Sequence, residues 1–317
     1  GRTDGTLAAT DARSGAPLWT SAIGDAATTT PAIEYESIYA ASDSTLAAVD
    51  RDSGANQWTT GLTSPAADNP VPREDTLYVA CEDGTVRAYH AKTGTEQWHA
   101  TLDGTLDRGV AVADGQILVS ARDGAVTALD AMDGTENWTA QVQGDVLTAP
   151  TASGGVIYVA DREGTLHALD GSDGVVRWTT ETGCRPTDAL ATTADTVWVA
   201  GQNGAVLAVD GEDGTVQWTT ETDGSLIGGP ALVDRTLYVT GGETVWGLDI
   251  TSGEERWTLS LAAIVTGAIP TSGGLYVGTE AGIEAYRDID IDSAWGRAAT
   301  GDEDRPNTRA KAGQPAT

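Results

Sequence analysis

Phenylalanine is absent from this 317-residue chain, and methionine occurs once. Lysine occurs only at Lys92 and Lys311, cysteine only at Cys81 and Cys184, histidine only at His90, His99 and His167. Each shortage excludes something. The two cysteines lie 103 residues apart with no Cys or His close by, which excludes a disulfide framework and a zinc cluster. They read as small buried or half-buried thiols. Lys+Arg of 18 against Asp+Glu of 47 leaves a net charge of −29, so no basic surface exists to neutralise phosphates. Nucleic acid is therefore not an expected partner. The most apolar run, Leu261 to Ile269, is far short of the roughly 20 residues a bilayer span needs, and direct membrane insertion is not expected. No signal peptide is visible, and Gly1 to Gly5 reads as the middle of a repeat. A fragment or processed product is expected on that basis, with secretion signals lying upstream.

Acidity of this kind accompanies either disorder or a carboxylate-rich surface. Ten tryptophans and recurring Val/Leu/Tyr strands favour a packed core. Dense carboxylate with almost no lysine suits molar salt, where the Debye length shrinks to about 3 Å. A halophilic archaeal source is the expectation.

What the chain has in quantity is repetition. Trp19, Trp58, Trp98, Trp138, Trp178, Trp218, Trp257 and Trp295 follow one another at intervals of 38 to 40 residues. Ten residues before each stands a small residue: Ala9, Ala48, Ala88, Ala128, Ala168, Ala208, Gly247 and Ala285. A period near forty over the whole chain marks a repeat architecture. One repeat predicts strands over Thr148–Ser153, Val156–Ala160 and Thr165–Asp170, and a fourth opening near Trp178, separated by Gly/Asp turns. Four short antiparallel strands repeated at this interval predict a propeller blade. The second strand occurs seven times (Ile38-Tyr39, Leu77–Val79, Ile117–Val119, Ile157–Val159, Val197–Val199, Leu237–Val239, Leu275–Val277), against eight copies of the third. The expectation is an all-β propeller with an eight-blade plan of four-stranded antiparallel blades. Its first blade holds only an outer pair, Thr6 to Asp11 and Leu18 to Ala22. The last repeat decays at Arg287 and Ile291, so the propeller is assigned residues 1–295 and a flexible tail or linker residues 296–317.

The phrase Leu-x-Ala-Leu-Asp-x-x-x-Gly-x-x-x-Trp, preceded by Val-Tyr-Val-Ala-x-x-x-Gly, closely resembles the PQQ-like (tryptophan-docking) repeat of quinoprotein alcohol dehydrogenase-like propellers. The resemblance runs from Gly1 to Trp295. It implies that the eight tryptophans dock between neighbouring blades and that the small residue ten positions earlier makes room for a ring. Quinoprotein dehydrogenases of this superfamily are about twice as long. They carry adjacent cysteines, a calcium or lanthanide held by Glu, Asn and Asp, and a catalytic aspartate. Adjacent cysteines, large insertions between blades and an evident ligand set are missing from this sequence. The expectation is a non-enzyme without a cofactor, similar to BamB-like propellers that dock peptides or proteins; a monomer with a protein or peptide partner, located outside the cytoplasm. The alternatives are a PQQ- and Ca²⁺-dependent oxidoreductase or one module of a larger multidomain protein.

Fold does not fix function, so a site needs its own residues. Aligning the innermost strands places Thr29, Asp68, Arg108, Thr148, Asp188, Gly228 and Thr266 at equivalent positions facing a central channel. Convergent polar groups at a concave mouth are the natural binding candidate, here Asp68, Asn69, Asp107, Arg108, Arg185 and Asp188. A wet channel lined by self-satisfied ion pairs is the plainer reading of the same residues. Asp288, Asp290 and Asp292 share a strand face and suit either a hard cation or a solvated edge. His90 stands where the motif has Asp, which predicts a turn role.

Overall fold

The computed structural model describes residues 1–2, 4–12, 14–24, 29–106, 108–261, 263–264, 266–271, 274–279, 282–286 and 310–311. Arg287, Ile291, Trp295, the Asp288, Asp290 and Asp292 trio, and Asp107 lie outside them. The described residues form strands and turns with no helix, and the chain is a propeller of four-stranded antiparallel blades.

The first sheet has two strands, β1 (Thr6–Thr10) and β2 (Pro17–Ala22). The second is β3 (Ala32–Glu34), β4 (Ser37–Ala41), β5 (Thr45–Asp50) and β6 (Asn56–Gly61), paired in chain order. The same meander returns as β7 (Val71–Arg73), β8 (Thr76–Ala80), β9 (Thr85–His90), β10 (Glu96–Thr101). It continues as β11 (Ala111–Ala113), β12 (Gln116–Ser120), β13 (Ala125–Asp130), β14 (Glu136–Gln141). The next sheet is β15 (Thr151–Ser153), β16 (Val156–Ala160), β17 (Thr165–Asp170), β18 (Val176–Glu181). Then come β19 (Ala191–Thr192), β20 (Thr196–Ala200), β21 (Ala205–Asp210), β22 (Val216–Glu221). After them stand β23 (Ala231–Val233), β24 (Thr236–Thr240), β25 (Thr244–Asp249), β26 (Glu255–Ser260). The last sheet has β27 (Ile269–Thr271), β28 (Gly274–Thr279), β29 (Gly282–Tyr286) and β30 (Ala310–Lys311). Seven four-stranded sheets and one pair are what the eightfold plan with an incomplete first blade predicts. Strand β30 sets Ala310 opposite Ala285 and falls inside the stretch that the sequence assigns to a tail.

Two compact units divide the chain, one of residues 1–11, 17–162 and 167–177, the other of residues 12–16, 163–166 and 178–317. Within each, the second and third strands supply the core. Burial of β5 and β13 covers four consecutive residues, while outer strands such as β10 and β18 alternate exposed and half-buried. First strands are shorter than the sequence predicts: β15 begins at Thr151, three residues late. Pro150 precedes it and has no N–H to extend the ladder.

The ten-residue spacing from small residue to tryptophan has a direct cause. Asp50 opens a turn in which its Oδ1 accepts the Ser53 amide at 2.8 Å, and Gly54 donates to the Asp50 carbonyl at 2.8 Å. A bulge follows, with Ala48 opposite Trp58 but Val49 opposite Asn56. The small residue and the tryptophan thus become cross-strand partners, and Ala88–Trp98, Ala128–Trp138, Ala208–Trp218 and Gly247–Trp257 repeat the pairing. The second-strand aromatic completes a rung: Tyr39 pairs with Ala48, and its ring centroid is 6.1 Å from that of Trp58.

Each indole then reaches the next blade. Trp58 Nε1 donates to the Ala91 carbonyl at 2.8 Å, and Trp19, Trp98 and Trp138 do the same to Arg51, Ala131 and Gly171. In the second unit Trp178 and Trp218 donate to Gly211 and Ile250. These six indoles make that hydrogen bond. Trp257 Nε1 has no acceptor among the described residues.

Turn carboxylates make this construction acid-sensitive. The Ser172 hydroxyl, then the Ser172 amide and Arg177, hold the Asp170 carboxyl far below the usual carboxylate range. Hydrogen bonds from Ser53 lower the Asp50 carboxyl, and those from Thr215 lower Asp213. A carboxyl depressed by folding contributes stability that is complete above its unfolded value, about 3.9, and is lost as pH falls through the folded one. The thermal midpoint should hold between pH 7 and about 5 and decline below about 4. Asp170→Asn should flatten that decline; calorimetry across pH at fixed salt checks both.

Candidate interaction site

In the first unit, the segment leading into β7 places Asp68 and Asn69, both half-buried. Asp68 Oδ1 accepts its neighbour's amide, Asn69 N, at 2.7 Å, and Oδ2 accepts Gly109 N of the following blade at 3.2 Å. Asn69 Oδ1 accepts Thr30 N of the preceding blade at 3.0 Å. Two adjacent side chains thus stitch three blades at their inner ends. Gly109 is required by this approach, since a Cβ there would lie 2.9 Å from Asp68 Oδ2. Half-buried Arg108 stands beside Gly109; Asp107 is outside the described residues.

In the second unit Arg185 and Asp188 are exposed. The backbone between them is pinned: Gln202 N donates to the Arg185 carbonyl and Thr187 N to the Ala200 carbonyl, both at 2.8 Å. A bridge between Pro186 and Gly201 adds to this. A fixed loop therefore presents two opposite charges to solvent. The two sets belong to different units, each described within its own.

The threonines at the position of Asp68 behave differently. Thr148 is wholly buried and its Oγ1 accepts Ala160 N at 2.9 Å; Thr29 and Thr266 accept Ala41 N and Gly278 N at 3.3 and 3.1 Å. Here the hydroxyl closes the end of its own blade's second strand. Sequence alignment gave no signal that this position faces the blade when it is threonine.

Several polar groups escaped the sequence reading. His167 and Asp161 form a buried pair, Nε2 to Oδ2 at 3.0 Å. Thr60, Thr180 and Thr220, two residues after their tryptophans, donate to Gly94, Gly214 and Gly253 carbonyls of the next blade. The Trp-x-Thr spacing was the available signal. His90 does replace the turn aspartate, its Nδ1 accepting Lys92 N at 3.2 Å, and His99 pairs with Glu96 at 2.8 Å. Cys81 and Cys184 are free buried thiols, and burial raises the pKa of each.

Clefts open between neighbouring blades of the first unit. One of about 490 Å³ is lined by Asp114, Gln116, Val156, Asp170, Ser172 and Arg177 among others. Another of about 650 Å³ gathers Glu34, Glu36, Glu74 and Asp75 around Tyr35, Tyr39 and Lys92. Lys92 Nζ is 2.9 Å from Asp75, and Glu34 Oε1 accepts Glu74 N at 3.2 Å. Burial raises the Tyr39 phenol. Among the described residues no three His, Cys, Asp or Glu side chains converge to hold a metal ion, and the single thiols sit in different units. Among the described residues no helix is long and apolar enough to cross a membrane.

Rungs of aromatic, small residue and docking tryptophan define a PQQ-like repeat β-propeller. The chain belongs to the family whose model is described as outer membrane protein assembly factor BamB, which matches residues 3–105, 82–221 and 183–290. Among solved structures it is similar to BamB from Moraxella catarrhalis, at 21% identity and a TM-score of 0.76 over 90% of this chain and 92% of that one. It is also similar to the computationally designed Ika8 protein, at 16% identity and a TM-score of 0.82 over the same shares. No curated protein sequence matches.

Proposed function

We propose that this propeller is a non-catalytic scaffold that binds a protein or extended peptide outside the cytoplasm, in a source adapted to high salt. Family membership carries the reading: the matching model is described as an outer membrane protein assembly factor. The site geometry agrees with it. Asp68 and Asn69 stitch blades, and Arg185 and Asp188 stand exposed on a pinned loop, where charged side chains can meet a partner's surface. The net charge of −29 supports the high-salt setting.

The test is capture of surface proteins on the immobilised chain at molar KCl, alongside a calorimetric titration of PQQ with Ca²⁺. Arg185→Ala with Asp188→Ala should reduce the captured partner at least tenfold while leaving the unfolding midpoint unchanged, since both side chains are exposed. Saturable PQQ binding would overturn the reading in favour of an oxidoreductase.

A further inference from the structure

The cleft that gathers four carboxylates is not a product of the joint between blades. A matching cleft lies two blades further on, and the repeats align turn for turn. Ala113, Asp114 and Gly115 stand there where this cleft has Glu34, Tyr35 and Glu36. Gly154 and Gly155 stand in place of Glu74 and Asp75. The joint forms with either set, so the acidic and aromatic lining needs another reason.

Two features of this cleft point to a cation. Glu34 Oε1 accepts Glu74 N at 3.2 Å, whereas Glu34 Oε2 is shut away from solvent with no hydrogen-bond partner among the described residues. A shielded, unpaired carboxylate oxygen is unfavourable, and a donor entering the cleft would relieve it. The cleft's own cation is engaged elsewhere: Lys92 Nζ pairs with Asp75 at 2.9 Å, both side chains largely exposed. Tyr35 is the second feature. Its side chain lines the cleft, 75% exposed, from a backbone position at φ 51° that bulky residues rarely take. Asp114 makes the equivalent turn at φ 49°, so the turn itself requires no ring. The Tyr35 turn is held from behind, since Arg51 Nη1 donates to the Tyr35 carbonyl and Arg51 N to the Glu36 carbonyl, both at 2.8 Å. The ring is thus presented from a fixed turn.

We infer that this cleft receives an arginine side chain of a partner polypeptide, its guanidinium paired with Glu34 Oε2 and stacked on Tyr35. A guanidinium is planar, donates to a carboxylate through a fixed fork and lies flat on an aromatic face. An ammonium is compact and strongly hydrated and meets the two demands less well. Glu36 and Glu74 keep the mouth negative, which favours a basic segment over an acidic one. Molar salt sharpens the choice: exposed charges are screened within about 3 Å, and a shielded oxygen much less. The inference rests on the scaffold reading, of which it names one partner chemistry.

The probe is a short labelled Gly/Ser peptide with one central arginine, followed by fluorescence anisotropy with the full chain at molar KCl. Saturable binding is expected, at least tenfold tighter than that of peptides carrying lysine or neutral citrulline at the same place. Glu34→Gln, which keeps an acceptor for Glu74 N, should weaken it at least tenfold, and Tyr35→Ala at least threefold. Asp114→Asn, in the matching cleft, should leave it unchanged. Near-ultraviolet circular dichroism verifies that the variants are folded, and Tyr35→Ala, at an exposed side chain, keeps the test decisive should Glu34→Gln fail to fold. Lack of saturation, equal affinity for the lysine or citrulline peptide, or indifference to both cleft substitutions overturns the inference. Free arginine amide binding as tightly as the peptide assigns the cleft to a small organic cation and overturns it equally. Partner capture through Arg185 and Asp188 that survives Glu34→Gln, without saturable peptide binding, would sink this inference and leave the scaffold reading intact.

Discussion

Gly94→Ala is expected to cost about 2–4 kcal/mol of unfolding free energy, measured by denaturant titration at constant salt. Two separate penalties add at this position. Gly94 sits at φ 67°, where an L side chain costs about 1–2 kcal/mol. A Cβ there would also lie 2.4 Å from Trp58 Cε3, so the docked indole must move within a packed seam. Gly115 separates the two, because its φ is 76° yet nothing stands within 4 Å of the added carbon. Gly115→Ala should therefore show only the backbone penalty, about 1–2 kcal/mol. Equal losses at the two sites would mean that the indole yields freely and that seam packing contributes little. The same glycine-on-indole contact occurs at Gly54, Gly134 and Gly174 in the first unit and at Gly214 and Gly253 in the second.

That contact marks the limit of what the sequence discloses. The rung is written locally: Ala48 and Trp58 lie ten residues apart across a turn that Asp50 and Gly54 specify, so one repeat suffices to read it. Strands β16 and β17 match the sequence expectation residue for residue because turn chemistry bounds them on both sides. Gly94 looks, within its repeat, like an ordinary turn glycine. Its second role depends on a tryptophan 36 residues earlier, and periodicity does not say which blade's tryptophan it meets. The candidate site suffers the same way. Asp68 was legible as a polar residue at an inner position, but its bond to Gly109 N depends on the offset between neighbouring blades, which no repeat encodes alone. His167 and Asp161 were invisible because both positions vary freely from repeat to repeat, and only the fold sets them face to face.

Trp58→Ala is the larger loss, about 4–6 kcal/mol by the same measurement, since truncating a buried indole costs about 3–5 kcal/mol and the abandoned acceptor adds about 1. Trp58 is 8% exposed, contacts the Tyr39 ring and Gly94, and donates to the carbonyl of Ala91, itself 2% exposed. Trp58→Phe keeps most of the ring and should lose only about 1–2 kcal/mol, mainly the hydrogen bond. The decisive experiment combines the two sites. With Trp58 removed, the methyl of Gly94→Ala meets no ring and enters the vacated space, so only its backbone penalty remains. The double variant should then be about 1–3 kcal/mol more stable than the sum of the single losses predicts, a coupling that contact between the two groups requires. Strict additivity would show that indole and glycine act independently, and would remove the physical basis for treating the docked tryptophan as the joint between blades. Because blades in a repeat architecture contact only their neighbours, a loss of this size at the seam of β6 and β9 should also separate local opening of that seam from global unfolding. Hydrogen exchange would then find the amides of β5 and β6 exchanging ahead of those in β12 and β13.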